Sequence, residues 1–372
     1  MKIAHIGSRG FPGFQAGVEK SLEEICPRLA ARGHEVTVYC SDHVSTAETV
    51  YKRTLLKRMP AIPTKHLETL SRVAVSAWDA IFQKFDIVHF HSIGPALMSF
   101  LTRPAKCKTV VTVHGLDWQR AKWGWAARTA LQMGERCSVM FPDHTVVVSK
   151  FLKKYYKEQY RRDVSYIPNG VNIEEPLAAA EIKEKWGLDP KSYILFASRL
   201  VPEKACHHLI EAYRGLHTDK KLVIAGASWH SDDYVKRLHE LAGGDPGIVF
   251  TGWAEGSVMK ELYSNAFLYC LPSEIEGLSL ALLEAMSFGA CPLTSDITEN
   301  KDVIEDAGAT FKTGDVEALR GRLQELISDP KGTERLGQEA KRLVQREYSW
   351  DKDCEELEKT YQTLLSASAD LS

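Results

Sequence analysis

Short apolar runs rich in Val and Ile alternate with amphipathic stretches along nearly the whole chain, and this alternation restricts the fold more than any other feature. Strands are expected at Lys2–Ile6, Glu35–Tyr39, Ile87–Phe90, Thr109–Val113 and His144–Val148, then at Tyr193–Ala197, Lys221–Ala225, Ile248–Thr251, Phe267–Leu271 and Ala290–Thr294. Runs of this kind, separated by helical patterns, belong to parallel sheets covered on both faces. The series restarts near residue 190, after a weakly periodic segment that begins Ile167-Pro168-Asn169-Gly170. A chain of 372 residues is also too long for one ordinary core. Two doubly wound α/β domains facing a central cleft are therefore expected, at 1–172 and 173–350. Residues 351–372 should add a helix, from Trp350 to Leu365, that packs back toward the first domain.

Composition excludes several classes. With 44% hydrophobic and 26% charged residues the chain has the make-up of a soluble globular protein. The start, Met1-Lys2-Ile3-Ala4-His5-Ile6-Gly7, suits a strand better than a leader peptide, and no apolar run approaches the ~18–20 residues that span a bilayer. Eight cysteines without a Cys-x-x-Cys pair suggest reduced thiols and a cytoplasmic setting. The net charge of −2 conceals an asymmetry: residues 1–172 hold 25 basic and 14 acidic side chains, the remainder 22 and 35. A basic, aromatic segment runs from Lys150-Phe151-Leu152-Lys153-Lys154-Tyr155-Tyr156-Lys157 to Arg161-Arg162. It suits either an anionic membrane surface or a solvated helix with its aromatics turned inward. Nucleic acid is not an expected partner, because no binding motif accompanies the charge.

Several loops carry candidate chemistry. The first, Gly7-Ser8-Arg9-Gly10-Phe11-Pro12-Gly13-Phe14-Gln15-Ala16-Gly17-Val18-Glu19, leaves a strand and feeds a helix, so its amides suit an anion such as phosphate. A dinucleotide fingerprint is the alternative, with Asp42 as the ribose acid, although the tight Gly-x-Gly is missing. His89 and His91 share a strand face and could ligate a metal, but no third ligand with convincing spacing accompanies them. His114, before Gly115, follows a strand at the sheet edge where ligands bind and is a candidate for touching substrate. Arg199 and Lys204 follow another strand, and two cations at such a junction suit a diphosphate. The stretch Leu271-Pro272-Ser273-Glu274-Ile275-Glu276-Gly277-Leu278-Ser279-Leu280-Ala281-Leu282-Leu283-Glu284-Ala285-Met286 is the most telling. It reads as strand, loop and a buried helix from about Leu278 that contains a carboxylate, Glu284. A carboxylate there needs a partner, either ribose hydroxyls or a buried Arg or Lys. Glu276 on the loop can accept from sugar hydroxyls, beside the amides that follow Gly277.

This last stretch resembles the Glu-x7-Glu motif of retaining glycosyltransferases of the family 4 type, with Glu276 and Glu284 at the matching positions. The first loop, Thr112-Val113-His114-Gly115, Ile167-Pro168-Asn169-Gly170-Val171-Asn172, Ser198-Arg199-Leu200-Val201-Pro202-Glu203-Lys204, and Thr294-Ser295-Asp296 with Glu299-Asn300 follow in family order. The resemblance implies a GT-B fold, a nucleotide-diphosphate sugar donor held mainly by the C-terminal domain, and no obligatory metal or other cofactor. It further implies that Arg199 and Lys204 bind the diphosphate, that Glu276 contacts the transferred sugar, and that Gly277, Leu278 and Ser279 supply amides around it. Glu284 would bind the ribose, with His114 near the sugar and Gly17 near the phosphate across the cleft. One departure is the Gly-Gly pair of such enzymes, replaced by Ala16-Gly17. The acceptor implied is a saccharide or lipid-linked saccharide met by the basic N-terminal domain. Trp118, Trp123, Trp125 and the basic helix would make peripheral contact with an anionic membrane. Rival readings are an epimerase on the same fold and a non-catalytic sugar-nucleotide-binding protein.

Overall fold

A computed structural model describes residues 1–13, 17–43, 48–62, 64, 67–120, 122–228 and 231–369. Phe14, Gln15 and Ala16 of the first loop lie outside the described residues. The chain divides into two compact units, one of Met1–Asn169 together with Trp350–Ser372, the other of Gly170–Ser349.

Among the described residues the first unit holds eight strands: β1 (Lys2–Ile6), β2 (Glu35–Ser41), β3 (Val50–Tyr51), β4 (Thr54–Met59), β5 (Ile87–His91), β6 (Lys108–Val113), β7 (His144–Val147) and β8 (Ser165–Tyr166). They form one sheet in the order β3-β4-β2-β1-β5-β6-β7-β8, in which only β3 and β4 pair antiparallel. That hairpin is absent from the expectation above. Its two-residue turn, Lys52-Arg53, adopts φ of +44° and +69°, the conformation usually announced by Asn-Gly or Asp-Gly. Here two long cations occupy it, and the sequence gives no turn signal. The helix Trp350–Ala369 belongs to this unit. Its buried residues Trp350, Cys354, Leu357 and Tyr361 recur at helical spacing and form its packing stripe. Arg28–Asp351 at 2.9 Å and Arg32–Glu358 at 3.0 Å tie its outer side to the helix Gly17–Ala31 and the residue after it. Such surface pairs add little beyond orientation.

Among the described residues the second unit holds six parallel strands: β9 (Tyr193–Ala197), β10 (Lys221–Ala225), β11 (Ile248–Gly252), β12 (Leu268–Leu271), β13 (Cys291–Ser295) and β14 (Ala309–Phe311). Their order is β11-β10-β9-β12-β13-β14. Alternate residues of β9, β10 and β12 feed two separate cores. Tyr193, Leu195 and Ala197 face the one that takes in Leu282, Leu283 and Met286, while Ile194 and Phe196 face the one that takes in Leu209, Leu238 and Leu323. Both faces of the sheet are thus covered, as continuous apolar strands require.

Strand order positions the functional residues. In the first unit the chain builds outward from β1 on one side, then returns to start β5 on the other. In the second it does the same between β9 and β12. The crevice outside the carboxyl ends at such a reversal is where open α/β sheets bind ligands. The loops found there are those singled out from the sequence: Gly7–Gly13 after β1, Arg199–Lys204 after β9 and Pro272–Ser279 after β12. At the first reversal Gly7 has φ of +130°, and a Cβ on it would lie 2.7 Å from the His91 carbonyl oxygen. Only glycine fits that approach.

Candidate functional site

In the second unit β9 ends at Ala197, and the loop that follows is pinned from both sides. Ser198 N donates to Ala225 O at 3.1 Å and Leu200 N to Ala227 O at 3.0 Å. The loops approach so closely that a Cβ on Gly226 would sit 1.9 Å from Ser198 O. Pro202–Lys204 then forms one tight turn, closed by Ala205 at φ +49°. From its far side Glu274 N donates to Glu203 O at 2.9 Å, which ties the loop after β9 to the loop after β12.

That tie brings together side chains 72 residues apart. Lys204 Nζ forms a salt bridge with Glu276 Oε1, with side chains 11% and 7% exposed. Two opposite charges so withdrawn from water hold each other's orientation, and removing either strands the other. Arg199 lies half-buried on the same loop as Lys204. Gly277 and Leu278 are half-buried, and Ser279 caps the helix Leu280–Ser287, its hydroxyl accepting from Leu282 N at 3.4 Å. The helix therefore begins at Leu280 rather than Leu278, and Ser279 keeps extended backbone at the cap. Glu284 is half-buried and accepts from the Tyr263 hydroxyl at 3.3 Å. Glu276 is the loop carboxylate salt-bridged to a buried lysine.

The floor under this loop is braced by β13. Ser295 Oγ donates to Ser273 O, and Asn300 Nδ2 donates to Ser295 Oγ at 3.0 Å. Glu299, in the helix Thr298–Ile304, has its carboxyl pushed above the ordinary range by burial first, with the Glu276 charge adding to it. A cavity of about 440 Å3 opens over the ends of β9, β10 and β11, lined by Leu200, Gly226, Ser228, Asp232, His239 and Phe250 among others. No motif announces it: its walls are glycines, apolar side chains and scattered polar ones brought together by strand order.

The first unit gathers histidines. His114 follows β6, half-buried, and Gly17 opens the helix Gly17–Ala31 with open space beside it. Glu19 turns inward instead, accepting from Arg9 N at 2.8 Å. A third histidine, His5, lies level with His89 across β1 and β5, so His5, His89 and His91 offer ring nitrogens within 4.8 Å of one another. The sequence gives two of these on one strand, and cross-strand register supplies the other. Both nitrogens of His89 are already engaged, with the Tyr361 hydroxyl at 2.6 Å and Thr112 Oγ1 at 2.7 Å. His5 Nδ1 lies 2.9 Å from His91 Nε2, and His91 Nδ1 lies 3.3 Å from His114 Nε2. The arrangement is a hydrogen-bonded network whose rings already hold one another.

Burial lowers the pKa of all four rings, His5 to about 3, His114 to about 4, and His89 and His91 well below the ordinary value. Folded, they stay neutral where the unfolded chain takes up protons. Stability should therefore fall as pH drops below ~6.5, by up to about 1.4 kcal/mol per pH unit for each fully buried ring. Urea midpoints at pH 7.5 and 5.5 check this; equal midpoints would contradict neutral burial.

The Trp118 indole is half-buried, and its Nε1 donates to Glu135 Oε2 at 2.5 Å. The Tyr155 and Tyr160 hydroxyls donate to the same carboxylate at 2.9 and 2.6 Å. The aromatics of the basic helix thus turn inward, while Lys153, Lys154 and Lys157 stay exposed. Trp123 is half-buried and Trp125 is 84% exposed.

Comparison with known proteins bears on both units. Residues 16–175 match Glycosyltransferase Family 4, and residues 179–343 match Glycosyl transferases group 1. The GDP-mannose-dependent alpha-(1-6)-phosphatidylinositol monomannoside mannosyltransferase of Mycolicibacterium smegmatis is 25% identical over 373 residues, which cover 91% of this chain and 93% of that protein. Sucrose-phosphate synthase from Thermosynechococcus elongatus shares the fold with a TM-score of 0.86 at 20% identity, covering 98% of this chain and 99% of the other. Anabaena HepE in complex with UDP-glucose does so at 0.82 and 18% identity, covering 98% and 100%.

Proposed function

Since the chain belongs to the group 1 glycosyl transferases of family 4 type, we propose that it moves a hexose from a nucleotide-diphosphate sugar to a hydroxyl of a saccharide or lipid-linked acceptor, with retention of configuration. The observation that carries this reading is the Lys204–Glu276 pair, buried at the strand-order reversal of the second unit. Lys204 and Arg199 neutralise the diphosphate as it leaves, so side chains rather than a metal supply the positive charge. Glu276, aimed by its salt bridge to Lys204, accepts from hydroxyls of the transferred sugar. The amides from Gly277 to Ser279, at the start of the helix Leu280–Ser287, face the developing negative charge. Glu284 takes the ribose hydroxyls side by side, and the cavity beside Leu200 takes the base. The diphosphate oxygen that departs accepts the acceptor's proton on the same face, which preserves the anomeric configuration. The lysines of the helix Lys150–Tyr160 and the exposed Trp125 favour peripheral contact with an anionic membrane, where a lipid-linked acceptor resides.

The relative that uses GDP-mannose and the fold neighbour solved with UDP-glucose support a nucleotide sugar as donor and leave the base to experiment. A thermal-shift screen of UDP-, GDP-, ADP- and dTDP-hexoses should single out one donor, since a ligand at 100 times its Kd adds ~2.7 kcal/mol. With that donor, free nucleoside diphosphate should appear faster when a saccharide acceptor is added. Turnover of the donor without nucleoside diphosphate release would favour an epimerase, and a complete absence of binding would sink the reading.

A further inference from the structure

His5, His91 and His114 form a file of hydrogen-bonded imidazoles from the sheet interior to its ligand-binding edge. His5 and His91 are buried on adjacent central strands, and His114 stands at the end of the next. Their contacts run in series: His5 Nδ1 to His91 Nε2 at 2.9 Å, then His91 Nδ1 to His114 Nε2 at 3.3 Å. His89 stacks on His91 with ring centroids 4.3 Å apart, yet it draws on Tyr361 and Thr112 and leaves the nitrogens of His91 to the file.

A neutral imidazole carries one N–H, so His91 donates with one nitrogen and accepts with the other. Only two arrangements satisfy both links. Either every N–H points outward, from His5 to His91 to His114, or every one points inward. The inner end decides between them. His5 Nε2 is buried without a hydrogen-bond partner. In the inward arrangement that atom carries a proton with nothing to accept it; in the outward one it is a bare lone pair. A buried N–H without an acceptor is the rarer defect. Burial, which holds the three rings neutral, keeps the file from escaping the choice by taking up a second proton.

We propose that His91, backed by His5, is a positioning residue that fixes the tautomer of His114, so that His114 keeps its proton on Nδ1 and turns a bare Nε2 toward His91. His114 then meets its ligand as a donor, through Nδ1–H, and addresses an oxygen of a bound saccharide rather than a hydroxyl proton. Which nitrogen of a histidine acts is set by the hydrogen bond the other makes. The saccharide rests on the sugar-transfer reading above; the tautomer does not.

The full-length protein labelled with 15N-histidine tests this, because long-range 1H–15N spectra separate protonated from bare ring nitrogens, with a His114→Gln variant to assign the signals. The expected wild-type spectrum has His114 protonated at Nδ1 alone. His91→Phe keeps the ring volume and removes both nitrogens, so His114 should become a mixture of tautomers. In that variant kcat should fall by about tenfold or more with the donor KM nearly unchanged, the scale of one oriented hydrogen bond. His91→Asn, whose amide can donate from near the old Nδ1 position, should recover most of the loss. A purely packing role for His91 would predict the reverse order, with phenylalanine the better replacement. Protonation of wild-type His114 at Nε2 overturns the proposal, as does an unchanged His114 signature in His91→Phe. So does a stoichiometric transition-metal ion held by His5, His89 and His91. The wild-type spectrum decides even if His91→Phe fails to fold. The expected tautomer in a protein that turns over no nucleotide sugar would leave the proposal standing and refute the sugar-transfer reading instead.

Discussion

Replacing Lys204 with alanine should lower kcat/KM about a thousandfold, the scale of losing one preorganised electrostatic group at a developing charge. The same change should destabilise the protein by about 3–5 kcal/mol, because it leaves a buried carboxylate without its counter-ion. The two losses have different origins and can be separated. The stability cost arises at Glu276, whose side chain is 7% exposed, and it should largely vanish in the double variant Lys204→Ala with Glu276→Gln. Turnover should not return, since neither the cation for the diphosphate nor the carboxylate for the sugar is restored. Steady-state kinetics and urea denaturation on the single and double variants check both halves. A double variant that regains activity along with stability would mean that the pair is a structural clamp and nothing more.

Arg199→Ala should give the complementary result, with kcat reduced about a hundredfold to a thousandfold. Arg199 is half-buried on a loop whose neighbouring amides, Ser198 N and Leu200 N, make backbone hydrogen bonds that the substitution does not remove. Arg199→Lys should lie between, about tenfold down, because a point charge remains while the two-pronged contact with phosphate oxygens is lost. Equal activity in all three proteins would remove Arg199 from the site.

The sequence carried the chemistry of the second unit further than its geometry. The strand-loop-helix stretch from Leu271 to Met286 was legible because a carboxylate inside an apolar helix stands out, and the loop residues around it follow from the motif. That Glu276 pairs with Lys204 was not legible. The contact depends on β9 and β12 lying side by side, which a linear reading does not provide. The same reason hid His5, joined to His89 only through the register of β1 against β5. The hairpin of β3 and β4 escaped because Lys52 and Arg53 adopt a conformation their residue types rarely signal. The sequence left two places open for the aromatics of the basic helix, and one buried carboxylate, Glu135, accepts from both Tyr155 and Trp118. The cavity beside Leu200 has no sequence signature at all, because glycines, apolar side chains and single polar residues such as Asp232 and His239 line many loops that bind nothing.

The central claim is that Arg199 and Lys204 hold the diphosphate of a sugar donor in the second unit, and a calorimetric titration tests it without relying on any acceptor. The nucleoside diphosphate selected by the donor screen should bind wild-type protein at one site per chain. Its affinity should fall about tenfold to a hundredfold in Arg199→Ala and again in Lys204→Ala, the worth of a hydrogen bond to a charged group. Wild-type affinity in both variants would contradict the account.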